Sequence, residues 1–231
     1  MNPSEIDILV ACEESQEVCK AFRELGFNAF SCDLQPCSGG HPEWHIQDDI
    51  RNVLPKKKYA GVISHPVCKE LANSGVRWFS SIDPREGYEW SEKYGVYLIA
   101  DQSKWDALDE GAAFFNYFVD YGKSGNNIII ENPIHHKYAK ERVREQDQIV
   151  QPWQFGHKKM KATCFWQYGF PLLLETDVVG PPPKDKNERK SWQDVWLASP
   201  GPNRAKLRSK TYPGIAKAIA EQYGNFLLKT I

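Results

Sequence analysis

Ile6-Asp7-Ile8-Leu9-Val10-Ala11 leads into Cys12-Glu13-Glu14-Ser15; apolar residues at helical spacing follow (Val18, Cys19, Phe22, Leu25), closed by Gly26, and then Asn28-Ala29-Phe30-Ser31-Cys32 ends on Asp33. A short continuous apolar run, a 3.6-residue period and a second run predict strand, helix, strand. The pattern continues outward. His45-Ile46-Gln47 before Asp48-Asp49 is a third extended piece, and Tyr59-Ala60-Gly61-Val62-Ile63-Ser64, ending at His65-Pro66, a fourth. Asn127-Ile128-Ile129-Ile130 is a fifth, followed at once by Glu131-Asn132-Pro133. Continuous apolar strands separated by helical patterns predict an α/β fold, a mostly parallel sheet with helices on both faces.

The remaining chain fits one domain across residues 1–231. The polar, aromatic-rich stretch 80–105 is too long for a tidy crossover and reads as an insertion or a mobile lid. A helix is predicted over 106–121, with Ala112, Phe115 and Val119 on one face. Residues 180–196, rich in Pro and charge, read as an exposed loop, and Thr211-Tyr212-Pro213 introduces a last helix over 214–228. No internal repeat is present.

Composition narrows the function classes. With 41% hydrophobic and 26% charged residues the chain is an ordinary globular domain, and 29 Lys plus Arg against 30 Asp plus Glu is not the field of a dedicated polyanion binder. A local patch remains able to bind nucleic acid. No apolar run reaches the roughly 18 residues of a membrane span, and the acidic N-terminus is unlike a signal peptide, so a cytoplasmic location is expected. Six cysteines in such a chain are expected as thiols rather than disulfides.

In open parallel sheets ligands lie outside the carboxyl ends of the strands. Here those ends carry Cys12-Glu13-Glu14, Asp33, Asp48-Asp49, His65-Pro66-Val67-Cys68 and Glu131-Asn132-Pro133. Asp33 falls 20 residues after Glu13, the separation at which an acid reaches the ribose hydroxyls of an adenosine-type cofactor. No glycine-rich turn follows the first strand, which disfavours a dinucleotide and suits a cofactor without phosphates, such as S-adenosylmethionine. Cys68, expected near a helix N-terminus, is in a setting that lowers a thiol pKa and makes a nucleophile. Glu131 would lie beside it if the fourth and fifth strands are neighbours. A thiolate and an acid beside an adenosine-type pocket can attack C6 of a pyrimidine while holding N3, which activates C5 toward a methyl group.

Other constellations compete. Cys32, Cys37, His41 and His45 have the spacing Cys-x4-Cys-x3-His-x3-His of a zinc site. His135-His136 read as exposed loop histidines. Basic residues after Gly156 (His157, Lys158, Lys159, Lys161) and at Arg204, Lys206, Arg208 and Lys210 lie near Trp153, Trp166 and Tyr212 in sequence, a mixture suited to phosphate contact and base stacking.

The strings at Cys12-Glu13, 31–34, 45–50, 65–68, 73–78, 131–133, 151–157, 161–166 and 211–216 make the chain resemble a family of compact phage proteins described as DNA cytosine C5-methyltransferase-like. The resemblance implies a Rossmann-like class I methyltransferase fold, S-adenosylmethionine as cofactor and DNA as partner. It implies Cys68 as covalent nucleophile and Glu131 as pyrimidine clamp. On the cofactor side it implies Asp33 at the ribose, Asp49 and Ile50 at the adenine, Pro66 alongside, and Cys12 and Glu13 near the methionine part. Asn132, Pro133, Lys161, Thr163, Arg208 and Tyr212 would contact substrate or shape its pocket. The chain departs from the pattern in the Cys-Glu-Glu-Ser turn, in Val67 rather than proline before Cys68, and in lacking a large target-recognition domain. Two further readings stand beside this one: a catalytically altered, methyltransferase-like binding protein that acts as a phage anti-host factor, and an enzyme modifying a free pyrimidine nucleotide.

Overall fold

The computed structural model describes residues 2–199, 201 and 204–230. Its centre is a seven-stranded sheet built from β1 (Asp7–Ala11), β2 (Asn28–Asp33), β3 (His45–Gln47), β4 (Gly61–Ser64), β8 (Ile128–Pro133), β9 (Gln148–Val150) and β10 (Thr163–Tyr168), in the order β3-β2-β1-β4-β8-β10-β9. The run from β3 to β8 is parallel, and β10 enters antiparallel between β8 and β9. This is the Rossmann-like α/β fold, a mostly parallel sheet with helices on both faces, that the sequence pattern predicted.

Alternation along the strands divides the core into two layers. Ile8, Val10, Ala29, Ile63 and Ile129 face α1 (Glu17–Glu24) and α8 (Pro213–Thr230), meeting Val18, Phe22, Ile219 and Tyr223. Leu9, Ala11, Val62, Ile128 and Ile130 face the opposite layer, which holds α2 (Ile50–Val53), α3 (Gln102–Lys123) and α4 (Lys137–Lys140). Both faces are covered, so the strands show continuous apolar runs and little alternation in sequence.

The structure departs from the sequence expectations in five places. β8 runs on through Glu131, Asn132 and Pro133, because β10 continues its ladder as far as Thr163↔Pro133 after β4 has ended opposite Ile130. β10 itself, rich in β-formers (Thr163, Phe165, Trp166, Tyr168), was not anticipated, because most of it is buried on both faces and carries no period of two. The 80–105 stretch contains β5 (Ser80–Ser81), β6 (Tyr88–Ser91) and β7 (Val96–Ile99) as an antiparallel sheet in the order β5-β7-β6. That small sheet is docked on the α3/α4 layer. Trp105 Nε1 donates to the Ile99 carbonyl over 2.9 Å, and the Tyr94 hydroxyl donates to Glu141 over 2.7 Å. Helix α3 starts before the expected residue 106, capped by the Asp101 carboxylate on the Ser103 amide. The 180–196 region carries the short helices α5 (Lys186–Lys190) and α6 (Asp194–Leu197), and α7 (Arg204–Ser209) precedes α8.

Candidate active site

The turn after β1 begins the site. Cys12 and Gln16 both adopt left-handed backbone (φ 59° and 58°), which β-carbon-bearing residues seldom do. The conformation is held from outside the turn. Gln16 Nε2 donates to the His41 carbonyl over 2.8 Å and its Oε1 accepts from the His41 amide, while the Ser38 amide donates to the Glu14 carbonyl over 2.7 Å. The glycine missing from the turn is supplied by this second loop: a β-carbon at Gly39 would lie 2.5 Å from both Gln16 Cβ and the Ser15 carbonyl oxygen. Glu13 turns inward, accepting from the amides of Val18 (2.7 Å) and Cys19 (3.2 Å) at the start of α1. Burial raises its carboxyl pKa despite those amides and the nearby His65. Burial likewise raises the Cys12 thiol, with Asp33 adding to the effect.

Asp33 closes β2, with Oδ1 accepting from the Gln35 amide over 2.9 Å and Oδ2 left without a partner among the described residues. Beside it Leu34 is 69% exposed. Asp49 caps α2, and the Arg51 guanidinium and amide hold its carboxyl down to about 2. Ile50 lies in the core of the α3 layer rather than on an open surface.

At the next strand ends, β4 and β8 are parallel neighbours, so the condition for Glu131 to approach the Cys68 loop is met. Alternation sends Glu131 to the α1/α8 side and Asn132 to the other. Glu131 Oε2 lies 2.7 Å from His65 Nδ1, with both side chains nearly buried. Burial works to raise the Glu131 carboxyl, but the hydrogen bond and charge of His65, with Lys161 behind it, outweigh burial and hold it low. Burial also opposes a charged His65, and Glu131 and Glu13 together outweigh it, so the imidazole pKa is raised.

Cys68 corrects an expectation. No helix starts there, and the loop folds back as a turn in which the Cys68 carbonyl accepts from the amides of Leu71 (3.1 Å) and Ala72 (2.9 Å). Burial and the Glu131 carboxylate push the thiol up, and Lys161 and Arg208 oppose them without reversing the shift. Lys69, the neighbouring cation, is spent on Glu70 at 3.2 Å. The loop is stitched to the segment after β8. Asn132 Nδ2 donates to the Pro66 carbonyl over 2.8 Å, and the Asn73 amide donates to the Ile134 carbonyl over 2.8 Å. His135 and His136, expected on the surface, are buried parts of this seam. His135 Nε2 donates to Asn132 Oδ1 over 3.0 Å and its ring stacks on Trp166; burial lowers its pKa to about 4. His136 Nε2 donates to the Glu70 carbonyl over 2.7 Å.

The two basic stretches converge. Lys161 Nζ donates to the Lys210 carbonyl over 2.9 Å, which ties the strand-end segment before β10 to the chain just after α7. Thr163, at the start of β10, is buried and donates to the Lys161 carbonyl over 3.2 Å. Tyr212 packs against the core beside His157, whose Nε2 accepts from the Gly214 amide over 2.9 Å. Lys206 contributes to the basic stretch in sequence only, since its side chain lies outside what the structure describes. Trp166, a candidate stacking platform by sequence, is buried.

Three of the four candidate zinc ligands have other partners, and the fourth, Cys37, is a half-buried free thiol. His45 bonds Ser31 Oγ (2.8 Å) and the Gln35 carbonyl (2.9 Å), His41 pairs with Glu43 and stacks on Trp44, and buried Cys32 faces the Asp48 carbonyl. Among the described residues no group of His, Cys, Asp or Glu is arranged to hold a metal ion.

The site therefore joins Asp33, the Cys12–Ser15 turn, His65, Cys68, Glu131 and Lys161 along one edge of the sheet. The residue sequence reasoning missed is His65. Its signal was available, an ionisable side chain directly after β4 at the same strand-end level as Glu131.

No family profile and no curated protein matches the chain. Among solved structures it is similar to a triple mutant of Spodoptera frugiperda DNMT2, at 14% identity and a TM-score of 0.36, over 78% of this chain and 56% of that one. The chain thus spans little more than half the length of that protein. Among the described residues no helix is long and apolar enough to cross a membrane.

Proposed function

We propose that the chain transfers a methyl group from S-adenosylmethionine to C5 of cytosine in DNA, with Cys68 as nucleophile and Glu131 as the clamp on the base. The observation that carries this reading is the meeting of Cys68, in the loop after β4, with Glu131 on the parallel neighbour β8 and Lys161 just before the antiparallel β10, on the edge of the sheet that also presents Asp33. The cofactor-side residues fit the group. Asp33 keeps an oxygen free for a ribose hydroxyl, exposed Leu34 offers an apolar surface to an adenine, and the strained Cys12–Ser15 turn, braced by Gly39, faces the methionine part. Bound there, S-adenosylmethionine supplies an electrophilic methyl group on a sulfonium sulfur. Cys68 Sγ adds as the thiolate to C6 of the base, which raises electron density at C5; once C5 carries the methyl group, loss of its proton to solvent and departure of the Cys68 thiolate from C6 restore the ring. Glu131 holds the base edge; Lys161 and Arg208 favour the thiolate and meet phosphate.

The raised Cys68 thiol favours a second reading, a methyltransferase-like binding protein without catalysis. Incubation with cytosine-containing DNA and S-adenosylmethionine, followed by mass spectrometry of the nucleosides, separates the two. The catalytic reading expects 5-methylcytosine from the wild type and none from Cys68→Ala, with cofactor affinity retained in calorimetry. Cofactor binding without product from the wild type would overturn it in favour of the second reading, and a methylated free nucleotide with unmodified DNA would move the substrate to the nucleotide pool.

A further inference from the structure

β1, β4 and β8 are neighbours; Glu13 lies just past the end of β1, His65 follows β4 directly and Glu131 lies within β8 at the level of His65, so the imidazole stands between two carboxyl groups. His65 Nδ1 bonds one oxygen of Glu131 at 2.7 Å. The other, Oε1, accepts no hydrogen bond among the described residues, and His65 Nε2 is buried without a partner. Charged groups face the imidazole from every element packed on it: Glu131 from β8, Glu13 from the turn after β1 and Lys161 from the segment before β10. The two acids outnumber the one cation, and Glu13 is itself pinned on the α1 amides.

We propose that His65 is a positioning residue for the base clamp, binding one oxygen of Glu131 and keeping the carboxylate anionic, so that its free oxygen accepts the amino hydrogen of cytosine. The inference rests on the cytosine-methyltransferase reading and deepens it. Without a cation beside it, a carboxyl buried this far takes up a proton, and its oxygens are then free to turn. With His65 in place the acceptor is fixed in direction and charge before the base arrives, which is where preorganisation lowers a barrier. The same arrangement disfavours a base with a carbonyl at C4, which would set oxygen against oxygen.

His65→Asn tests this, because the asparagine amide can replace Nδ1–H as donor but carries no charge. The expected result is cofactor affinity within about twofold of wild type, kcat lower by about 100-fold, and KM for DNA changed less than about threefold. The acid limb of the kcat profile should move to higher pH, since burial of Glu131 is then no longer offset by the charge of His65 and only Lys161 remains as an opposing cation. A His65→Asn enzyme with wild-type kcat and pH profile overturns the proposal. A second measurement needs no turnover and no fragile variant: nitrogen-15 NMR of the His65 ring in wild type and in Glu131→Gln. A midpoint above the ordinary histidine value in the wild type, falling by about one unit or more in the variant, is expected. Equal midpoints overturn the proposal. Absence of any methyl transfer by the wild type is a different result: it removes the cytosine reading, while the NMR titration still decides whether His65 and Glu131 are coupled.

Discussion

Asn132 Nδ2 donates to the carbonyl oxygen of Pro66 over 2.8 Å, which fastens strand β8 to the loop that carries Cys68. Its Oδ1 accepts from His135 Nε2 at 3.0 Å, so one buried amide satisfies two partners on different segments. The Asn132 side chain is thus engaged within the protein, and its role is to hold the Cys68 loop in place. Asn132→Ala leaves a buried carbonyl and a buried N–H unpaired and should destabilise the fold by about 2–4 kcal/mol in urea unfolding. Alkylation of Cys68 should become faster in the same variant, because the loop is no longer tied down.

Asp33→Ala should weaken S-adenosylmethionine binding by about 10–100-fold in calorimetry, the loss of hydrogen bonds from a charged acceptor. The melting temperature should hardly change, as the Asp33 side chain, among the described residues, bonds only the Gln35 amide two residues away. Unchanged affinity would remove Asp33 from the cofactor site.

Gly39→Ala tests the bracing of the first turn from the second loop. Its new β-carbon would meet Gln16 Cβ and the Ser15 carbonyl oxygen at 2.5 Å, neither of them a flexible side-chain tip. A loss of about 1–3 kcal/mol in stability is expected, with weaker cofactor binding at temperatures where the protein remains folded.

Arg208→Gln should lower DNA affinity by a similar factor across sequences, and the slope of log K against log salt should shrink by about one, as for a single lost phosphate contact. Filter binding over a salt series reads both. A change confined to one sequence would indicate base contact instead.

Stability should depend on pH through the buried row. His65 has a raised pKa, so its stabilisation is complete below the unfolded value of 6.5 and fades as pH rises through the higher folded value. Glu131 has a lowered pKa, so its contribution is present above the unfolded value of 4.5 and is lost as pH falls through the folded one. The pair therefore stabilises most between 4.5 and 6.5 and declines above that window. Glu13, with its raised pKa, adds a loss of stability as pH climbs past 4.5. Melting curves of the wild type from pH 5 to 9 should fall over the upper range, and Glu131→Gln should flatten the part due to His65.

The sequence by itself determined the strand–helix alternation, the placement of acids and Cys68 at strand ends, and the last helix, because each is written in local periods and in the few residues after an apolar run. The place of Asp33 at the end of the second strand could be read by spacing alone, since the distance along one strand–helix–strand unit is fixed. Tertiary structure decided what local pattern cannot carry. β10 has no alternation because neighbours bury it on both faces, and it enters between β8 and β9 only through long-range pairing. Gly39 supplies close approach to a turn more than twenty residues earlier. The thiol of Cys68 is pushed up, where sequence placed it at a helix start, because burial and Glu131 act on it through space. His65 gained its place in the same way. Charge interactions in a buried site depend on distance and desolvation, and both are set by which strands the fold makes neighbours.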